Sequence, residues 1–175
     1  MKIFFLYILF LSLTNLKAQI PLPEFNDKPA YFDQNKKQLV ELEKSQYNTM
    51  AKAKGLFSAE AGFFLEGATS KVLIPRQTEL KFIVKVVPGT DASAIFDLAQ
   101  FEIRKDKRVF IASQAKIGSS STSYQKIDFE LVKIKEGFYY LVAKNLTAGQ
   151  YFFGSKDAMF AFSGKNGQID HQDSE

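Results

Sequence analysis

The chain has 175 residues, 46% of them hydrophobic and 24% charged, with 18 phenylalanines and no cysteine. That is the mixture of a folded globular chain rather than a disordered one. Without cysteine there are no disulfides, no thiolate catalysis, no zinc–cysteine site and no acylated N-terminal cysteine.

Taken in chain order, residues 1–18 read as a cleavable signal peptide. Lys2 gives the positive start, Ile3 to Leu13 form an apolar run broken only by Ser12, and Ala18 precedes the expected cut. A positive start, a short apolar stretch and a small residue are the features of such a segment, and the run is too short to span a bilayer as a helix. The protein is therefore expected to be exported, to the periplasm, the cell surface or the medium. No transmembrane segment is expected after cleavage. The formal net charge of +4 loses Lys2 and Lys17 with this segment and falls to +2. So weak a charge, without a basic stripe, argues against a nucleic-acid partner.

Residues 19–163 are expected to form one domain, and 164–175 a disordered polar tail. Pro21, Pro23 and Pro29 suit an extended lead-in. Tyr31 and Phe32 then precede the polar turn Asp33 to Lys37. Strands are expected over Leu39 to Lys44 and Tyr47 to Ala53. Gly55 punctuates, and Gly62 to Gly67 enclose the apolar run Phe63-Phe64-Leu65.

The clearest alternation is Leu80, Phe82, Val84 and Val86, with Lys81 and Lys85 on the other face, the pattern of a strand with one wet side. Pro88-Gly89 ends it, and Thr90 or Asp91 can cap a short turn through Ala92 to Ile95. Ala99, Phe101 and Ile103 alternate with Gln100, Glu102 and Arg104, and a turn at Lys105 to Lys107 leads into Val109 to Ile111, a hairpin. Gly118 to Ser123 reads as a loop by composition. Ile127, Phe129 and Leu131 alternate with Asp128 and Glu130, and Lys135-Glu136-Gly137 turns into Phe138 to Val142. Tyr151 to Phe153 and Ala158 to Phe162 supply the last strands.

Short, closely spaced strands with no long helical stripe predict an antiparallel all-β domain, an immunoglobulin-like β-sandwich or a closed up-and-down, lipocalin-like barrel. Leu146, Gly149 and Tyr151 are the expected structural corner. A tyrosine just past a sheet-crossing corner can return its hydroxyl to nearby backbone while its ring packs inside, with Gly149 supplying an unusual backbone angle. The run Glu66 to Ile74, the strand Phe82 to Lys85, the segment Asp91 to Leu98 and the Leu146-x-x-Gly149-x-Tyr151-x-Phe153 ending follow one another. Together, over roughly 66–162, they resemble an immunoglobulin-like β-sandwich domain of exported Bacteroidetes-type proteins. Ala148 stands where that pattern often has proline. The resemblance implies fold and export; it brings no activity.

Chemistry-bearing motifs are sparse. Arg104, Lys105, Lys107 and Arg108 cluster in the chain, a solvated hairpin tip that discourages edge pairing or a contact for a polyanion of the envelope. Ser119 to Ser121 have no histidine near them in sequence: the single His171 lies in the tail, and no Gly-x-Ser-x-Gly elbow occurs. Glu41 and Glu43 read as neighbours on one strand face, about 6.6 Å apart, a poor geometry for two carboxylates flanking a glycosidic bond. Asp33 to Lys37 starts like a calcium loop but puts Lys37 at a ligand position. Asp170, His171, Asp173 and Glu175 lie in a tail too loose to preorganise a metal site.

No cofactor, metal site or catalytic residue is therefore expected. The leading reading is an exported, non-catalytic structural or interaction module, its partner an unknown protein or envelope component. The alternative is a carrier for an apolar ligand with an aromatic-lined cavity, and a hydrolase using carboxylates comes last.

Overall fold

The computed structural model describes residues 20–53, 58–116, 119–122, 124, 126–155 and 158–165; the expected signal peptide, Gly55 and His171 lie outside them. Fifteen strands follow in chain order: β1 (Ala30–Asp33), β2 (Gln38–Glu41), β3 (Glu43–Ser45), β4 (Asn48–Ala53), β5 (Ser58–Glu66), β6 (Leu73–Pro75), β7 (Glu79–Lys85), β8 (Asp97–Gln100), β9 (Glu102–Arg104), β10 (Lys107–Lys116), β11 (Ser119–Thr122), β12 (Phe129–Lys135), β13 (Phe138–Lys144), β14 (Gly149–Gly154) and β15 (Met159–Lys165). One 3-10 turn, Ala92–Ala94, precedes β8, and the Asp91 carboxylate caps it by accepting from the Ser93 N–H.

The strands form three sheets: sheet I in the order β12-β13-β7-β1-β2, sheet II in the order β3-β15-β14-β8 with β6 also beside β15, and sheet III in the order β11-β10-β5-β4 with β9 also beside β10. Strand pairing is antiparallel except for β6 against β15, which is parallel. Among the described residues no sheet closes on itself, so the arrangement is layered rather than a barrel.

Side-chain alternation places sheet II in the middle. Successive residues of a strand point to opposite faces, and on β15 every residue from Met159 to Gly164 is buried. Phe160 and Phe162, with Tyr151 and Phe153 of β14 and Leu98 of β8, pack against Tyr31, Phe82, Val84 and Leu141 of sheet I. Met159, Ala161, Phe152 and Ala99 point the other way and pack with Leu65 and Phe110 of sheet III. A strand buried on both faces cannot show the wet-side alternation of an outer strand, and Met159 to Phe162 are apolar throughout.

Two expected strands are broken where the chain changes sheet. Leu39 to Lys44 ends in sheet I at Glu41 and resumes in sheet II at Glu43, with Leu42 buried between them. Ala99 to Arg104 leaves sheet II at Gln100 and enters sheet III at Glu102, with Phe101 buried at the crossing and its N–H bonded to the Gln150 carbonyl. Glu41 and Glu43 therefore belong to different sheets and share no face. Ile103, expected to point inward, is 49% exposed.

Three further expectations are corrected. Ser119–Thr122 is a strand paired with Ser113 to Lys116, not a loop. Gly164 and Lys165 complete β15, so the expected domain end at 163 falls inside a strand. Ile83, on the lysine side of β7, is fully buried, so that face is not simply wet.

The corner is built around Tyr151. Its ring is 1% exposed, and its hydroxyl donates to the Thr147 carbonyl at 2.9 Å while accepting from Thr147 Oγ1 at 3.1 Å. The left-handed residue is Asn145, at φ 54°, and Gly149 is not among the positive-φ positions. Gly149 leaves room for the Gln100 amide and the Tyr151 ring: a Cβ there would displace Gln100 Nε2 and press on the ring.

Candidate functional site

Sheets II and III meet through a core that is pinned on one side and open on the other. Along sheet II, one row of neighbours facing sheet III reads Glu43, Ala161, Phe152, Ala99; the next reads Ser45, Met159, Gly154, Asp97. Arg108 of β10 reaches Glu43 at the first row's β3 end, with Nη2 2.7 Å and Nη1 3.1 Å from its two carboxylate oxygens. The guanidinium also donates to the Gly67 and Glu66 carbonyls, and the Arg108 side chain is 3% exposed. A planar fork satisfied on this many sides is the arrangement that makes a buried arginine tolerable.

Glu43 is held from both sides. Burial pushes its carboxyl up, but Arg108, the Ser70 and Ser45 hydroxyls and the Lys71 N–H together outweigh that and bring it down to about 2. The pair joins β3 of sheet II to β10 of sheet III, beside the apolar cluster that spans the same two sheets.

Toward the β8 edge the small residues Ala99 and Gly154 cannot fill the gap of about 10 Å between stacked sheets. A cleft of about 770 Å³ opens there, within the range of small-molecule sites, roughly 300–1,000 Å³. Its floor is Ala99, Phe152, Gly154 and Met159 of sheet II; its roof is Phe63, Phe110 and Ala112 of sheet III; Tyr47 and Tyr124 stand at its sides.

The rings form a continuous ladder. Tyr47 lies 5.2 Å from Phe63, Phe63 stacks on Phe110 at 5.1 Å, and Phe110 meets Tyr124 at 4.9 Å and Phe152 at 5.1 Å, both edge to face. These spacings and angles suit the ring quadrupole; Phe110 and Phe152 close the inner end by touching, and the cleft opens beside them.

A backbone irregularity shapes the roof. The β5–β10 register shifts between Ile111 and Ser113, leaving Ala112 as the extra residue of a bulge. Opposite Ile111 stands Gly62, where any side chain would run into the Phe110 carbonyl. Glycine thus lets β5 lie close to β10 beside the bulge, which turns a methyl group into the cleft.

Polar groups are few. Asp97 and Asp27 line the cleft, as does Ser155. Asp97 Oδ1 accepts from Lys126 Nζ at 2.6 Å, and this hydrogen bond raises the Lys126 ammonium above its ordinary value. Ser155 Oγ donates to the Ala158 carbonyl. None of these makes a nucleophile–base pair.

The basic cluster is not a free surface. Arg104 binds Glu60 at 2.9 Å and Glu102 at 2.7 Å, Lys107 binds Glu66 at 3.0 Å, and Arg108 is buried against Glu43. Of the four, Lys105 alone, at the hairpin turn with φ 59°, has no carboxylate partner among the described residues. Carboxylates contributed by β3, β5 and β9 meet these side chains, so the charges cancel locally.

Asp33 Oδ1 closes its turn by accepting from the Asn35 and Lys36 N–H groups. Among the described residues no group of three or more acidic or histidine side chains is arranged to hold a metal, and no helix is long and apolar enough to cross a membrane.

Sequence reasoning had an aromatic-lined cavity only as its alternative, named none of the lining residues, and missed the Arg108–Glu43 pin. A signal existed for the pin: Arg108 and Phe110 share a strand face by period two, so an arginine occupied an inward position. For the cleft, the signal was the pairing of large Phe63, Phe110 and Phe152 with small Ala99 and Ala112, legible only once the facing strands were known. Compared with family models, curated proteins and solved structures, the chain matches none.

Proposed function

We propose that this protein binds an apolar small molecule, without chemical turnover, in the cleft between sheets II and III. One observation carries the reading: a concave, ring-lined space of about 770 Å³ beside the packed contact of Phe110 and Phe152. Preformed apolar concavities with a few polar groups at the edge are the usual form of small-molecule sites. The ring ladder and the Arg108–Glu43 pin keep the walls rigid, which reduces the ordering cost of binding. The sparse polar groups suit binding rather than hydrolysis.

Export is part of the same proposal, supported by the Lys2 start and the Ile3 to Leu13 run; a carrier outside the inner membrane meets apolar molecules directly. The immunoglobulin-like character of residues 66–162 is proposed on the packing of sheet I against sheet II and on the Tyr151 corner. Sheet III is then an addition to that plan, and the cleft lies where the addition joins.

The test is fluorescence titration with N-phenylnaphthylamine, an uncharged probe that brightens in apolar surroundings. Saturable one-site enhancement is expected, and Ala112→Leu, which puts a larger side chain into the cleft, removes it. A folded protein that gives no saturable enhancement ends the proposal.

A further inference from the structure

Two carboxylates stand at the cleft's edge. Its described lining includes two carboxylates, Asp27 and Asp97, and no lysine or arginine, in a chain whose net charge is positive. The rest of the lining is mostly apolar, Ile95 and Met159 among it; of its rings Tyr47, Phe63 and Tyr124 keep exposed surface, and ring faces attract cations. An aromatic box with a carboxylate at its lip is the chemistry that recognises an organic cation rather than a neutral lipid or a fatty acid.

Resting on the cleft reading above, we infer that the ligand is an amine or quaternary ammonium carrying an aromatic body. The body lies against the ladder's exposed rings, Tyr47, Phe63 and Tyr124, and the cationic head reaches Asp97. Lys126 holds one oxygen of that carboxylate at 2.6 Å, and a carboxylate has room for further donors or cations at its second oxygen. Lys126 is not among the described lining of this cleft; it lines an adjoining polar hollow that shares Phe110 and Tyr124 with it. It therefore acts as a resident counter-ion that an incoming cation must share or displace. The Asp97 and Lys126 side chains are about half exposed, so replacing either leaves the core untouched. An anionic ligand would meet two carboxylates at the entrance with no base lining it among the described residues.

The experiment titrates the full chain with three probes of one skeleton: naphthylmethyl-trimethylammonium, naphthylmethanol and naphthylacetate, read by calorimetry. The ammonium is expected to bind about threefold to tenfold more tightly than the alcohol, the worth of a cation over aromatic faces, and the acetate most weakly. The advantage of the ammonium shrinks at about 0.5 M salt because the lip is solvent-exposed. Asp97→Asn removes most of that advantage, and Lys126→Gln, by freeing the carboxylate, increases it. If the acetate binds as tightly as the ammonium, or if Asp97→Asn leaves the preference intact, the inference is overturned while the cleft reading stands. If no probe binds saturably, the cleft reading itself fails.

Discussion

The two faces of sheet II are built by the same strands, yet one is filled with large rings and the other mixes rings with small residues and borders a cleft. Toward sheet I, adjacent rows read Phe160, Phe153, Leu98 and Phe162, Tyr151, Gln100. Phe82 of β7 inserts among these rings, 4.9 Å from Phe153 and 5.0 Å from Phe162. Toward sheet III the same strand positions, shifted by one residue, read Ala161, Phe152, Ala99 and Met159, Gly154, Asp97. Large residues are there interrupted by alanine and glycine, and an ion pair stands beside the apolar contacts of Leu65, Phe110, Phe152 and Met159. The difference shows how one strand pair, with period-two alternation, writes two independent interfaces: a packed core for stability and a looser one with room for a guest.

The comparison is tested most severely on the ring-filled face. Phe162→Ala removes a fully buried ring that touches Phe82, Tyr151 and Phe153, and is expected to cost about 3–5 kcal/mol by chemical denaturation. A cost below about 1 kcal/mol would mean that this face is no tighter than the other.

Next in size is the pin on the mixed face. Glu43→Gln leaves the Arg108 charge buried without its counter-charge, an expected loss of about 3 kcal/mol at neutral pH. The pH dependence has a definite sign. The Glu43 carboxyl sits at about 2 against an ordinary 4.5, so its contribution is complete above the ordinary value and is lost as pH falls toward 2. The parent should lose about 3 kcal/mol relative to Glu43→Gln over that window. Parallel pH–stability curves would refute the role given to the pair.

Tyr151→Phe keeps the ring and removes only the hydroxyl bonded to Thr147. It should cost about 1 kcal/mol, read as a shift in thermal midpoint. The smallest stability effect belongs to the cleft: Ala112→Leu projects into open space and should change stability by less than about 0.5 kcal/mol. A penalty of about 2 kcal/mol there would mark the space as already filled, as overpacking would in a sealed core.

Much of the fold was legible in the chain. The alternation from Leu80 to Val86 gave β7, the Lys105-Asp106 turn gave the β9–β10 hairpin, and Glu136-Gly137 gave β12–β13. In Leu146 to Phe153 the expected buried ring and backbone-bonded hydroxyl of Tyr151 are present, whereas the left-handed residue is Asn145 and not Gly149. What could not be read were the sheet changes at Leu42 and Phe101. Each is one apolar residue inside an otherwise regular alternation, and nothing local distinguishes a strand that continues from one that crosses between layers. The polar strand β11 was hidden for a related reason: serine is common in loops, and pairing with β10 is what makes Ser119–Thr122 extended.

The sequence by itself determined an all-β, cysteine-free chain, where most strands turn, and which residues prefer burial, because these depend on backbone sterics and on period-two patterning within a few residues. Only the tertiary structure decided that there are three layers instead of two, that Arg108 faces Glu43, and that Ala99, Gly154 and Ala112 confront one another across a gap. Those facts depend on which strand lies opposite which, and that is settled by contacts between residues far apart in the chain.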